Sequence, residues 1–470
     1  MLKQQKIFFD FLSFCIGSAK EIPSSLKEAD WKELYAIAKK QCLVGVLFDG
    51  IKKLPAEHVV MEKELLLHLM AESQMLEKAN VRLNDAAIQV SGWFWKKGFR
   101  TCILKGQGNA LMYPNPCSRT PGDIDIWVEG GDKRVISFVR SISPHEKACY
   151  HHIEFPSYKG VEVEVHYRPS FLLCFWHNRK LQKYYERVKE EQFSHRVMLE
   201  EQGEIAIPTV EFNLIFQLTH IFSHLMNEGI GLRQLLDYYY VLCDFYKVYQ
   251  KTSKITPSLF FDKASCTRQF ESELSLHSLA SLFPLKEGST SHPDPLTLRG
   301  EGGNRPTRCS EPLRSKDGGP KRSSPDCAGW DRRDAIGDMT SVTASTDSSA
   351  TVARSSSTAI DRVQEELKEL GLWKFAGGIM YIMQEVFGMP ASRLIVPPNE
   401  KYGKFVLNEV LEAGNFGRHD ARNRFGSSKF GHNLQRVYRD MRLLRYFPGE
   451  ALCEPLFRIW HFFWRLKHRR

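Results

Sequence analysis

The sequence predicts an α+β protein in which a small mixed β-sheet is flanked by N- and C-terminal helical regions. Apolar residues recur at helical spacing through residues 1–97 and again after residue 201. Between these regions, short segments alternate polar and apolar residues, as half-buried strands do. The third observation is a long low-complexity segment that interrupts the second helical region and is predicted to be disordered.

Changes in composition divide the chain into five segments. They are an N-terminal helical region (1–97), an α/β core (98–200), the first part of a second helical region (201–262), the disordered insertion (263–360), and the continued helical region with the C-terminal segment (361–470). The insertion is dominated by Ser, Thr, Gly, Pro, Arg and Asp, which cannot bury enough apolar surface to offset the entropy of ordering. The last predicted helix, 454–470, is basic and amphipathic. Packing on its own domain is favoured there over contact with an anionic membrane surface.

Composition limits the partners and the location. Hydrophobic residues make up 42% of the 470 residues, enough for a sizeable core. Lys and Arg outnumber Asp and Glu by 65 to 55, which suits acidic ligands. A nucleic-acid partner is disfavoured, because no basic stripe with interleaved aromatic residues is evident. Eleven cysteines without a CxxC pair, no signal-peptide pattern and no apolar run long enough to span a membrane predict a cytoplasmic protein.

Three short strands are predicted in the core, at residues 100–104, 123–128 and 161–167. A glycine-containing turn, 105–108, follows the first strand, and a helix is predicted over 133–141. The three strands are close enough in the sequence to form one small sheet.

Asp123 and Asp125 stand two residues apart on a strand, so both carboxylates should point to one face. Such like charges are costly unless a cation lies between them, and Mg²⁺ prefers carboxylate oxygens. In the third strand the valines would face the core, leaving Glu162, Glu164 and His166 on the open face. Glu164, or Glu162 in a different register, would complete a metal site for displacement at a phosphoryl group. An Asp-x-Asp pair alone is weak evidence, because alternating acids are common on half-exposed strands.

The turn after the first strand suits a phosphate group. Gly106 and Gly108 would let backbone N–H groups approach an anion. Lys105 adds a positive charge, and Arg119 adds a planar donor suited to a triphosphate. One short stretch contains a phosphate-binding turn, an acidic pair and a third acid. This combination favours an active site over a chance arrangement of acids.

Several motifs carry a family resemblance: Leu104-Lys-Gly106, Tyr113-Pro114, residues 119–128 and residues 164–169. With these motifs the chain resembles the uncharacterised bacterial nucleotidyltransferases of the DNA polymerase β superfamily. Later blocks extend the resemblance over nearly the whole chain except about residues 255–360. In the glycine turn, where the superfamily usually has Gly-Gly or Gly-Ser, this sequence departs and has Gly106-Gln-Gly108.

The resemblance implies that Asp123 and Asp125 ligate Mg²⁺, with Mn²⁺ as the alternative ion, and that Glu164 is the third carboxylate, which also helps to deprotonate the acceptor. It implies transfer of a nucleoside monophosphate from an NTP to an unidentified acceptor (a small molecule, a carrier or a protein), with release of pyrophosphate. The substrate-binding residues would be Lys105, Gly106, Gly108, Arg119 and His166. The alternative function is a non-catalytic, NTP-binding regulatory or antitoxin-like module.

Five further side chains have open interpretations. His220 and His224 have a spacing that can bind zinc, but a hydrogen-bonded pair is favoured, and their helix could line the nucleotide pocket. Arg233 and Asp237 are expected to form an ion pair on a helix surface, or else to reach the active site. His166 could orient a metal ligand or the acceptor, or could be a spectator.

Overall fold

The computed structural model of the chain describes residues 2–199, 203–252, 356–420, 422 and 429–468. These residues form fourteen α-helices, a four-stranded mixed sheet and a separate two-stranded hairpin, which confirms the predicted α+β class. The predicted disordered insertion lies outside the described residues except for residues 356–360, which begin a helix.

Four helices precede the sheet, as the sequence predicts. They are α1 (Lys3–Cys15), α2 (Trp31–Lys40), α3 (Val44–Ile51) and α4 (Lys63–Lys96). The first three pack together around the rings of Phe8, Phe11 and Trp31. The second half of α4 supplies Ala87, Val90 and Phe94 to the core beneath the sheet. The long helix therefore joins the N-terminal region to the α/β core.

The sheet follows the predicted strands closely and adds one that was not predicted. Its elements are β1 (Thr101–Leu104), α5 (Gly106–Ala110), β2 (Ile124–Val128), α6 (Gly131–Ile142), β3 (His152–Tyr158) and β4 (Val161–His166). The strand order is β1-β2-β4-β3, with β2 and β4 parallel and both outer strands antiparallel to their neighbours. The unpredicted strand is β3, which places a second row of side chains beside β4.

One face of this sheet is apolar and the other carries polar side chains. Val163 and Val165 are buried against α4, as predicted for the valine face of the third strand. Asp125, Glu164 and His166 lie on the opposite face. Because that face is also covered by helices, Asp125 and His166 are buried, each with about 3% of its surface exposed.

The remaining described elements complete the helical region. They are α7 (Phe175–Ser194), β5 (Arg196–Leu199), β6 (Gly203–Ala206), α8 (Val210–Asn227), α9 (Leu232–Thr252), α10 (Ser356–Glu369), α11 (Trp373–Glu385), α12 (Glu400–Ala413), α13 (Lys429–Leu444) and α14 (Pro448–Lys467). β5 and β6 form an antiparallel hairpin whose two strands lie on either side of the predicted segment boundary at residue 200. Among the helices that the structure describes, none combines the length and apolar surface that crossing a bilayer requires.

Asn80 of α4 fixes the loop that leads towards β2. Its side-chain amide lies 3.0 Å from the carbonyl oxygen of Cys117 and 2.9 Å from that of Arg119. We expect Asn80→Ala to lower the free energy of unfolding by about 1–3 kcal/mol, because buried carbonyl groups lose their donor. Urea unfolding would measure the loss. The matched control is Gln74→Ala, which removes an exposed amide from the same helix and should leave the stability nearly unchanged.

Candidate active site

The turn after β1 has an unusual backbone that directs Lys105 over the polar face of the sheet. Lys105 has φ +54° and ψ −138°, a backbone conformation that residues other than glycine rarely adopt, and Gly106 follows at φ +45°. Such conformations persist where the surrounding structure holds them, often at functional sites. A Cβ atom on Gly106 would lie 3.9 Å from the carbonyl oxygen of Asp123, whereas Gly108 packs against Ile207. Gly106 is thus the glycine nearer the carboxylates.

Three carboxylates meet on the polar face of the sheet, at its two central strands. The parallel register pairs Asp125 of β2 with Glu164 of β4, and Asp123 immediately precedes β2. One oxygen atom from each of the three lies within 4.8 Å of the others. The structure therefore brings together the three acids that the sequence predicts as metal ligands, and their use as ligands stays a prediction.

Asp125 has a nitrogen partner on each side. Its Oδ2 lies 2.9 Å from Nζ of Lys105, and its Oδ1 lies 2.9 Å from Nε2 of His166. Burial alone would raise the pKa of Asp125, but the charge of Lys105 and the hydrogen bond and charge of His166 lower it below its usual value. The Asp125 carboxylate is therefore anionic in the folded protein.

His166 also lies 3.5 Å from Oε2 of Glu164, so it bridges two of the acids. Burial lowers the pKa of His166, but its bonds to Asp125 and Glu164 outweigh burial and raise it. Glu164 is less buried, with about 30% of its side chain exposed, and the charges of His152 and His166 hold the pKa of its carboxyl below the usual range. Of the roles left open for His166, orientation of the acids matches these contacts.

Among the residues that the structure describes, Asp123 is the one of the three acids that forms no ion pair. Burial raises its pKa to about 6, and repulsion from Asp125 and Glu164 adds to the rise, while Lys105 opposes it. A carboxyl group whose ionised form is disfavoured by two neighbouring anions is a position where a divalent cation would be stabilised. The donor set consists of carboxylate oxygens, which is the set that Mg²⁺ and Mn²⁺ accept. The residues present therefore fit such an ion.

Helix α8 closes the site on the side of Lys105. Nε2 of His220 lies 3.1 Å from Nζ of Lys105 and 2.9 Å from Nε2 of His224, and Nδ1 of His224 lies 3.4 Å from Glu228. Burial, together with the charge of Lys105, holds the pKa of His220 well below its usual value. The prediction of a hydrogen-bonded histidine pair is confirmed. A neutral His220 can accept a hydrogen bond from Lys105.

Arg119, predicted to bind a triphosphate, is engaged elsewhere. Its Nε and Nη2 each donate to one oxygen of Asp237 at 2.8 Å, and all of these atoms are buried. The expected surface ion pair between Arg233 and Asp237 is wrong, because both are buried and Arg119 is the ionic partner of Asp237. Arg233 instead donates through Nη1 to the carbonyl oxygen of Thr120 at 3.0 Å. The two arginines thus anchor the segment that runs into Asp123.

A second group of side chains beside the acids was missed from the sequence. Cys149, His151 and His152 gather at the start of β3, and Nδ1 of His152 lies 3.4 Å from Oε2 of Glu164. Burial would lower the pKa of His152, but the neighbouring Cys149 and Glu164 raise it to about 10. The string Cys149-Tyr-His-His was the available signal. Without a predicted β3, nothing placed that string near Glu164.

Part of the chain matches a known protein family. Residues 27–253 match the model of a family described as uncharacterised nucleotidyltransferase, and this range contains the whole four-stranded sheet and the three acids. None of the curated proteins compared with the chain matches it. One solved structure, of an antigenic nucleotidyltransferase-like protein from Paracoccidioides brasiliensis, is 14% identical and covers 43% of this chain and 91% of its own. Its TM-score is 0.23, too low to support an argument about the fold.

Proposed function

We propose that this chain is a Mg²⁺-dependent nucleotidyltransferase that moves a nucleoside monophosphate from an NTP to an acceptor and releases pyrophosphate. The observation that carries the proposal is the convergence of Asp123, Asp125 and Glu164, whose carboxylate oxygens lie within 4.8 Å of one another on the polar face of the sheet. The family match over residues 27–253, which is to nucleotidyltransferases, supports it. The acceptor would be a small molecule, a carrier or a protein.

Asp123, Asp125 and Glu164 would hold Mg²⁺, or Mn²⁺ in its place. When bound, such an ion neutralises phosphate charge and stabilises the charge that develops at the displaced oxygen. In the transfer, the acceptor oxygen bonds to the α-phosphorus and the bond from that phosphorus to the β-bridging oxygen breaks. The acceptor proton passes to a carboxylate of the site. Pyrophosphate leaves with the bonding electrons.

Lys105 would bind the triphosphate after its ion pair with Asp125 breaks. Its ammonium group now occupies a position between Asp125 and His220, with Nζ 2.9 Å and 3.1 Å from them. Lys105 would then move its ammonium group from Asp125 to a phosphate oxygen, because a metal-filled Asp125 no longer attracts a second positive charge. Gly106 gives the phosphates room beside the turn, because it adds no side chain at the point nearest to Asp123.

His166 would act on the acids more than on the substrate. Its ring joins Asp125 to Glu164 from the buried side of the site, so it fixes the separation of two proposed ligands. Side chains that hydrogen-bond to metal ligands orient those ligands and tune the affinity of the site for its metal. A contact between Arg119 and the triphosphate would require its bond to Asp237 to break, and we leave Arg119 out of the proposed substrate contacts.

Thermal unfolding tests the proposal without a known acceptor. Each NTP at millimolar concentration, with Mg²⁺, should raise the midpoint of wild-type unfolding, because a ligand bound only by the native state stabilises it. EDTA should remove the effect. Glu164→Gln should lose most of it, whereas Glu162→Gln, the same change two residues earlier on an exposed part of β4, should keep it.

Turnover is tested next by pyrophosphate release with small-molecule, carrier and protein fractions as acceptors. Metal-dependent NTP binding combined with release from one fraction is the expected result. Binding without release from any fraction would favour the alternative of a regulatory or antitoxin-like module. No stabilisation by any NTP would contradict both functions.

A further inference from the structure

Cys149, His151 and His152 form a compact cluster of one thiol and two imidazole groups beside the three acids. Sγ of Cys149 lies 3.6 Å from Nδ1 of His151 and 3.4 Å from Nδ1 of His152. Nδ1 of His152 lies 3.0 Å from Nε2 of His151. One donor atom from each residue therefore lies within 4.8 Å of the others.

The two sulfur–nitrogen separations are close to the edges of a tetrahedral zinc site. With a Zn–S distance of about 2.3 Å and a Zn–N distance of about 2.0–2.1 Å, a tetrahedral sulfur–nitrogen edge measures roughly 3.5 Å. The two sulfur–nitrogen distances in the cluster fall on either side of that value.

The backbone of the cluster is fixed in advance by the end of β4. The carbonyl oxygen of His151 accepts hydrogen bonds from the N–H groups of Tyr167, at 3.0 Å, and Arg168, at 3.2 Å. The Tyr167 hydroxyl donates to the carbonyl oxygen of Cys149, and the N–H group of Cys149 donates to the carbonyl of His152 at 2.9 Å. A site whose backbone is already ordered loses less entropy when it binds an ion.

We infer that Cys149, His151 and His152 bind a zinc ion in a second metal site, distinct from the one formed by the three acids. Thiolate and imidazole donors select zinc over Mg²⁺, whereas the acids have the opposite preference. Three protein ligands leave the fourth position of a tetrahedral ion for water or a substrate atom, as in zinc sites that take part in reactions. The inference does not depend on the proposed transfer reaction.

The place of this zinc site gives it a connection to the acids. His152 lies 3.4 Å from Glu164 and pairs directly with His166 across the β3–β4 ladder. A zinc ion on His152 would therefore place positive charge beside Glu164.

Metal analysis of purified, full-length protein tests the inference. After dialysis against buffer with Mg²⁺ and without added zinc, mass spectrometry should find close to one zinc ion per chain in the wild type. Cys149→Ser and His151→Gln should each lose most of this zinc. Cys453→Ser removes a thiol from α14, outside the cluster, and should keep it. Wild type without zinc, or zinc retained in both cluster variants, would overturn the inference.

Two further measurements separate the zinc site from the proposed catalytic site and from a failure to fold. Asp123→Asn should retain the zinc ion even if all NTP responses are lost. Cobalt substituted into the wild type should show the sulfur-to-cobalt charge-transfer band, which requires a thiolate ligand. If the cluster variants do not fold, peptide mapping of the alkylated wild type tests whether zinc binds at Cys149. Zinc should protect Cys149 from alkylation, and absence of both protection and the cobalt band would overturn the inference.

Discussion

Asp123→Asn is expected to stabilise the metal-free protein while it abolishes stabilisation by Mg²⁺ and NTP. The ionised carboxylate of Asp123 is partly buried and faces Asp125 and Glu164, so its pKa rises to about 6 from an ordinary value of 3.8. Each pKa unit corresponds to about 1.4 kcal/mol, so removal of this charge should raise the free energy of unfolding by roughly 1–3 kcal/mol near pH 7. Urea unfolding in EDTA measures the gain.

The pH dependence of this gain follows from the direction of the pKa shift. The folded protein holds the Asp123 proton more tightly than the unfolded chain, so ionisation destabilises the folded state as the pH rises. The difference in stability between Asp123→Asn and the wild type should be small near pH 4 and should reach its full value above about pH 6. A pH series of urea unfolding curves in EDTA measures the difference directly.

Glu162→Gln is the control for both effects. It removes the same charge from an exposed position on β4, and it should change neither the metal-free stability nor the response to NTP. If Asp123→Asn lowers the metal-free stability and leaves the NTP response intact, Asp123 does not contribute to a metal site. Opposite effects of one substitution on stability and on ligand response are expected where an active site stores unfavourable charge.

The parts of the fold that the sequence predicts are those with a strong local pattern. β2 and β4 alternate apolar residues with acids, and each is found within one residue of its predicted bounds. β3 escaped prediction because Pro156 and a register irregularity between Phe155 and Tyr158 break its alternation. The hairpin of β5 and β6 has strands of only four residues each, too short for a clear period. Both misses are cases in which pairing between strands outweighs local pattern.

In the candidate site, too, contacts set by local sequence spacing could be predicted, and contacts between distant parts of the chain could not. Asp123, Asp125 and Glu164 could be grouped from the sequence because the spacing on a strand fixes which side chains share a face. The partner of Arg119 could not be found in this way, because Asp237 lies 118 residues further along the chain. A guanidinium near an acidic motif suits a triphosphate or a buried carboxylate equally well. Only the tertiary structure distinguishes the two surroundings.

The pair formed by Arg119 and Asp237 links the helical region to the approach of β2. Asp237 lies on α9 and also accepts a hydrogen bond from the Tyr113 hydroxyl at 2.8 Å. One residue beyond Arg119, Thr120 accepts from Arg233 and donates through its hydroxyl to the carbonyl of Cys42 at 2.8 Å. The segment that ends at Asp123 is therefore fixed to three other parts of the chain. The position of that acid depends on contacts made well outside the sheet.

Asp237→Asn is accordingly expected to lower the free energy of unfolding by about 3–5 kcal/mol, because it leaves the buried guanidinium of Arg119 without its counter-charge. Urea unfolding gives the magnitude, and Asp244→Asn on the same helix, at a partly exposed position, should have a much smaller effect. The double variant Arg119→Met/Asp237→Leu should recover much of the loss, because apolar side chains of similar size need no counter-charge.

The double variant also separates a role in folding from a role in binding. If the ion pair serves only to position the segment before Asp123, the double variant should regain stability and retain a metal-dependent response to NTP. If Arg119 leaves Asp237 to bind the triphosphate, the double variant should regain stability and lose that response, which would restore Arg119 to the substrate site. A loss below about 1 kcal/mol in Asp237→Asn would contradict the buried pair itself, since so small a cost is typical of exposed ion pairs.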